Sequence, residues 1–235
     1  MATITTAPPI NGSGDVLGGF DRPDDHPLDY GARLRRARLG MIVAIIAIVM
    51  VFVSLISAYV VRKGLPTLDP STGLLVHDWF PMQLPKLLLV NTVVLLISSL
   101  TMELSRRQVA RDVALEQVAS IPGVSLGRAT TMPWLAYTVV LGLCFLGGQW
   151  LVWRELAAHG FYVAPNPSSS FFYLLTGVHG VHLIGGVVAL LFAGAAAVLR
   201  KPVETRSVVV DAAAWYWHFM AILWVGILCL LEFAR

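Results

Sequence analysis

Residues 39–61, LGMIVAIIAIVMVFVSLISAYVV, run without one charged side chain. At about 1.5 Å per residue, a helix of that length crosses the ~30 Å hydrocarbon core of a bilayer. Hydrocarbon offers no water to bond the backbone, so a continuous apolar run of this kind must satisfy its N–H and C=O groups as a helix. Four further apolar runs lie at about 86–103, 134–153, 170–198 and 211–233. The expected fold class is therefore all-α, a polytopic membrane bundle of five transmembrane helices. Composition agrees: 57% of residues are hydrophobic and 13% charged, too apolar for an ordinary soluble domain. The polar first 38 residues lack the short apolar core of a signal peptide. Residues 1–32, rich in Pro, Gly and Asp, read as a flexible cytoplasmic tail, which leaves 33–235 as the membrane domain.

Lys and Arg are unevenly divided between the two sides of this arrangement. The N-terminal tail and the loops after spans two and four carry 12 of the 17; the other loops and the C-terminus carry 5. The positive-inside rule places the N-terminus in the cytoplasm and the C-terminus outside. Trp134, Trp215 and Trp217 then fall near the inner surface, and Trp79, Trp150 and Trp153 near the outer one, as an aromatic belt, with Trp224 deep. RRQVARDVALEQVAS places Val109, Val113 and Val118 near helical spacing, so it continues span two as a helix that ends before IPG. The chain has no internal repeat, which opposes a carrier built from inverted repeats.

Ionisable residues within a span are functional candidates. Glu103, Glu155, Asp211 and Glu232 fall at span ends, within reach of water, and no Lys or Arg reads as buried. His179, His182 and His218 lie deeper, with neutral Asn91, Thr92, Ser98 and Ser99. Cys144 and Cys229 sit in apolar runs without a CxxC or Cys/His cluster and read as structural thiols. The basic residues flank spans, which argues against nucleic acid as a partner.

TGVHGVHLIGG, residues 176–186, raises the question of haem or metal ligation. His179 and His182 are one turn apart on one face and cannot clamp a haem between them. His182 precedes Arg200 by 18 residues, roughly 27 Å, whereas His218 follows Asp211 by seven, roughly 10 Å. These depths do not match, and no third metal ligand is in view. The expected role is hydrogen bonding within the bundle, to a neighbouring subunit, or to a lipid or water-filled cleft. Gly177, Gly180, Gly185 and Gly186, followed by Ala189, Ala193 and Ala197, form a small face on which another helix can pack closely.

TGVHGVHLIGG followed by AAAWYWHFMAILWVGILCLLEF (212–233) resembles subunit III of the haem–copper terminal oxidases. NTVVLLISSLTME (91–103), RLGMIVAIIA (38–47) and GLCFLGGQWLVWRE (142–155) resemble three other helices of that family. The resemblance runs from about 33 to 235. It implies a non-redox accessory subunit with no haem or copper of its own. The haems and copper belong to partners: catalytic subunit I, copper-bearing subunit II, and in some complexes a small subunit IV. That complex reduces dioxygen to water and pumps protons, and subunit III stabilises it, with membrane phospholipid as a further ligand. The location implied is the bacterial cytoplasmic membrane.

His179, His182, His218, Asn91, Thr92, Glu155, Trp215 and Trp217 are the candidates for a polar cluster or for interface and lipid contacts. Two departures from the family stand out. Only the last five of the seven helices of the long form are matched. Ile48 stands seven residues after Met41, where the family often carries a buried glutamate. The alternatives are a subunit-III-like protein of a nitric oxide reductase and a stand-alone membrane carrier.

Overall fold

A computed structural model describes residues 27–68, 73–76, 79, 85–119, 133–160, 167–199 and 201–233. Five helices run along the chain: α1 (Pro27–Gly64), α2 (Lys86–Ala119), α3 (Pro133–Ala158), α4 (Pro167–Val198) and α5 (Val203–Phe233). Each begins at or directly after a proline: Pro27, Pro85, Pro133, Pro167 and Pro202. Proline's fixed φ suits the first helical turn, and its missing N–H would have had no partner there. α3 ends on His159–Gly160, where Gly160 takes φ 84° and its N–H donates to the Ala157 carbonyl at 3.0 Å. That left-handed residue is the common glycine stop of a helix. Between α1 and α2, β1 (Thr67–Leu68) pairs antiparallel with β2 (Leu75–Val76), Thr67 opposite Val76.

α2, α3, α4 and α5 close a four-helix ring, each packed against its two neighbours; α1 lies outside it, against α4 and α5. All five are long and apolar enough to cross a membrane, and the fold is a polytopic α-helical membrane bundle. The residues on the ring axis are large: Phe145, Phe172, Trp217, Met220 and Trp224 are almost wholly enclosed. Lipid solvates apolar side chains as well as a protein core does, so close packing and interhelical hydrogen bonds hold such a ring together.

The boundaries differ most from the hydropathy reading at α1, α2 and α5. α1 begins at Pro27, so residues 27–32 belong to a helix; the remainder of the proposed tail, 1–26, lies outside the described residues. α2 continues from span two to Ala119, as the valine spacing indicates. α5 begins at Val203, eight residues before the expected span edge at Asp211. The segment VETRSVVV lowers the hydropathy with Glu204 and Arg206, but Arg206 turns inward, with its terminal Nη2 3.9 Å from Asp112 on α2. Arg206 is buried, which corrects the expectation that no basic residue would be.

Candidate functional site

α2 and α5 meet along a seam of paired polar groups. The indole N–H of Trp224 donates to Thr92 Oγ1 at 3.0 Å, and Thr92 passes its own proton to the Leu88 carbonyl at 2.8 Å. Two turns along, Trp217 donates to Ser98 Oγ at 3.2 Å, and Ser98 donates across to the Thr138 carbonyl of α3 at 3.1 Å. Asn91 crosses to α3 as well, its Nδ2 donating to the Phe145 carbonyl at 3.0 Å. A β-carbon on Gly148 would collide with the Asn91 side chain, so the glycine gives the carboxamide its place. Asn91 and Thr92 thus make interhelical bonds, each worth about 0.6 kcal/mol in a membrane.

Trp217 is wholly enclosed in the bundle, fourteen residues past the start of α5 and roughly 21 Å along it. A ring enclosed by the bundle does not face lipid headgroups, which corrects its placement in an aromatic belt. Its ring fills a slot between Gly142 of α3 and Gly186 of α4, where added β-carbons would lie 2.7 and 3.1 Å from it. The glycines of span four therefore serve packing within this chain, at least at Gly186. Trp215, on the opposite side of α5, is 48% exposed on the bundle surface.

The depth difference expected between the histidines is absent. The Tyr216 hydroxyl donates to the His182 carbonyl at 2.8 Å. His182 therefore lies level with Tyr216, two residues before His218. The real separation is in direction. The Nδ1–H of His182 donates to the Val178 carbonyl of its own helix at 2.7 Å, and its ring meets Phe52 of α1 at 5.8 Å. Ile48, at the family's glutamate position, is buried one turn from Phe52. His218 turns to α2: Nδ1 shares a hydrogen with Ser99 Oγ at 2.6 Å, and Nε2 faces Glu103 at 3.5 Å. His179 is enclosed, its ring tilted 36° against Trp224 at 4.9 Å, with Phe145 edge-on at 6.1 Å. The three do not form one cluster. Among the described residues, no three His, Cys, Asp or Glu side chains gather as metal ligands would.

Glu155 is exposed, and the guanidinium of Arg154 lies over the Trp150 ring at 4.9 Å. Cys144 and Cys229 are free thiols on the surface.

At the end of the bundle near the N-terminus, charges join three helices. Arg38 of α1 grips Asp211 of α5 with two bonds, 2.8 and 3.1 Å. Arg106 of α2 reaches Asp211 at 3.4 Å and Glu103 at 2.8 and 3.0 Å. Arg107 also bonds Glu103, at 2.8 Å. Beyond them the Tyr30 and Ser207 hydroxyls meet at 3.0 Å. The ring of His218 thus abuts, through Glu103, a chain of charges running to Arg38. Hydropathy leaves Glu103 and Asp211 as solvated span ends. The spacing of Glu103 to Arg106 and Arg107, one helical turn, was the local signal of pairing; the contact with Asp211 had none.

Over residues 31–233 the sequence matches the family described as cytochrome c oxidase subunit III. The Mycobacterium leprae protein named "Probable cytochrome c oxidase subunit 3" is 32% identical over 102 residues, 43% of this chain and 50% of that one. "Cytochrome c oxidase subunit 3" of Branchiostoma lanceolatum is 30% identical over 193 residues, 80% of this chain and 65% of the relative. The protein of the same name from Allomyces macrogynus is 26% identical over 192 residues, 80% and 62% of the two chains. The matched region is thus about half of the mycobacterial relative's length and under two thirds of the other two.

Proposed function

The chain belongs to the cytochrome c oxidase subunit III family, and on that premise we propose that it is the non-redox accessory subunit of a respiratory haem–copper oxidase. It packs on the catalytic subunit that reduces dioxygen to water and pumps protons, and it prolongs that subunit's working life. The haems and copper reside in the partners, subunits I and II, with a small subunit IV in some assemblies. Phospholipid fills part of the remaining surface. The N-terminus faces the cytoplasm of a bacterial cell and the C-terminus faces outward across its cytoplasmic membrane, in line with the distribution of Lys and Arg.

The observation that carries this reading is the occupation of the polar side chains. Asn91, Thr92, Ser98, Ser99, Glu103, Asp211 and His218 are joined to one another or to neighbouring helices, in a pattern that holds a bundle together. α1 adds a face for a partner. Its buried described side chains are Ile48, Phe52 and Tyr59, while Leu39, Ile42, Val43, Ile46, Met50 and Val53 point away from the bundle.

The test is a mild-detergent isolation of this chain, tagged at its C-terminus, with a reduced-minus-oxidised spectrum of the eluate. Haem bands should travel with a large oxidase subunit and leave when harsher detergent strips this chain alone. A colourless eluate without such a partner defeats the proposal; a reductase large subunit in its place would transfer the chain to a nitric oxide reductase. Replacing His179, His182 or His218 by Leu should weaken assembly or hasten loss of activity during turnover, with the haem content of the catalytic subunit unchanged. Unaltered assembly and decay in all three variants would remove their positioning role.

A further inference from the structure

Two polar side chains of α3 and α4 are buried in the interior without a hydrogen-bonding partner among the described residues. His179 on α4 and Gln149 on α3 are 0% and 3% exposed. Neither ring nitrogen of His179, and neither Oε1 nor Nε2 of Gln149, meets a hydrogen-bonding group of the protein. An amide offers two donors and two acceptor pairs, and a neutral imidazole one donor and one acceptor.

The two lie at one level of the bundle. Phe145, one turn before Gln149 on the same buried stripe of α3, sets its ring edge-on to His179 at 6.1 Å. Trp153, one turn after Gln149, donates to Thr176 at 3.1 Å. Thr176 is itself one turn before His179 on α4. Gln149 is thereby bracketed opposite the Thr176–His179 turn. The neighbouring polar groups are already engaged. Thr176 accepts from Trp153 and donates to the Phe172 carbonyl, and the Trp224 indole N–H is held by Thr92. The remaining walls, Phe145 and the Trp224 ring, are aromatic.

Burial also limits what else can reach these atoms. A lipid headgroup or a partner's side chain would have to pass through the packed ring, and the bilayer brings no bulk solvent to it. The fitting partner is a molecule small enough to be enclosed and able both to donate and to accept. In protein interiors that molecule is water, which makes about three hydrogen bonds to groups otherwise unpaired. We propose that Gln149 and His179 form an internal water-binding site between α3 and α4, with an ordered water bridging the amide and the imidazole. The site does not depend on which complex the chain joins.

Electron cryo-microscopy of the unmodified chain in its isolated complex, at a resolution that shows ordered solvent, tests this directly. A peak within hydrogen-bonding distance of both side chains is expected. A direct Gln149–His179 bond, or dry packing around both, overturns the proposal. A second readout is magnetisation transfer from water to the ring nitrogens in complex labelled with 15N-histidine. Transfer to His179, identified by its disappearance in H179F, should be lost in Q149L while any signal from His182 is unchanged. Transfer that is absent from the unmodified chain, or that survives Q149L intact, also overturns it.

Discussion

α1 and α5 are apolar helices of 38 and 31 residues with opposite surroundings. α1 holds the long uncharged run and has three buried residues among its described side chains, Ile48, Phe52 and Tyr59. α5 carries Arg206, Asp211, two buried tryptophans and His218, and buries twelve residues. In water the more apolar helix would be drawn inside. In lipid, hydrocarbon is as good an environment for Ile and Val as another helix is. Polar groups that need partners, and rings that fit glycine slots, decide which helix occupies the interior.

The largest test of that contrast is Trp217→Ala. It empties the slot between Gly142 and Gly186 and should cost about 3–5 kcal/mol, the usual range for a buried tryptophan. The chain's thermal midpoint in detergent, followed by loss of the monodisperse chromatographic peak, would show it; a midpoint within a degree of the parent would break the contrast. Asp211→Ala leaves Arg38 and Arg106 without their shared carboxylate and should cost about 2 kcal/mol, typical of hydrogen bonds to charged groups. Because both arginines are partly exposed, raising salt should shrink the difference between parent and variant. A salt-independent difference would point to packing instead.

Smaller effects refine the comparison. Asn91→Ala and Thr92→Val should each cost about 0.6 kcal/mol. Losses several times larger would mean that the seam acts as one cooperative unit, which the double variant would reveal as non-additivity. The smallest effect belongs to α1. Ile46→Ala and Val53→Ala lie on its outward face and should change the isolated chain by no more than about 0.5 kcal/mol. The same pair should reduce recovery of the oxidase complex if that face seats a partner. A marked loss of stability in the isolated chain would show that α1 is packed more tightly than its exposure indicates.

Much of the architecture is legible without coordinates. The charge-free run predicts α1, the four other runs find α2 to α5, and the valine spacing extends α2. The failures at the helix ends share one cause. Hydropathy marks where a helix meets lipid, which is not where the helix begins. Placing the edge of α5 at Asp211 hid eight helical residues and created a false depth gap between His182 and His218. Arg206 and Asp211 read as solvated because their partners, Asp112, Arg38 and Arg106, are about a hundred or more residues away in sequence. Gly186 reads only as part of a small face for another helix, and Gly142 carries no signal of its own, until the ring of Trp217 is placed between them.

The sequence by itself determined that this chain forms five membrane helices, roughly where they lie, and which family they resemble. Those properties depend on local composition, on transfer of side chains into hydrocarbon, and on short motifs. Only the tertiary structure decided which helices close the ring, that Arg38, Arg106, Glu103 and Asp211 form one chain of charges ending beside His218, and that Gln149 and His179 are enclosed without hydrogen-bonding partners among the described residues. Those outcomes depend on the rotation of each helix about its axis. In a bilayer, hydrophobicity leaves that rotation nearly free, and hydrogen-bonding direction and the fit of rings to glycines determine it.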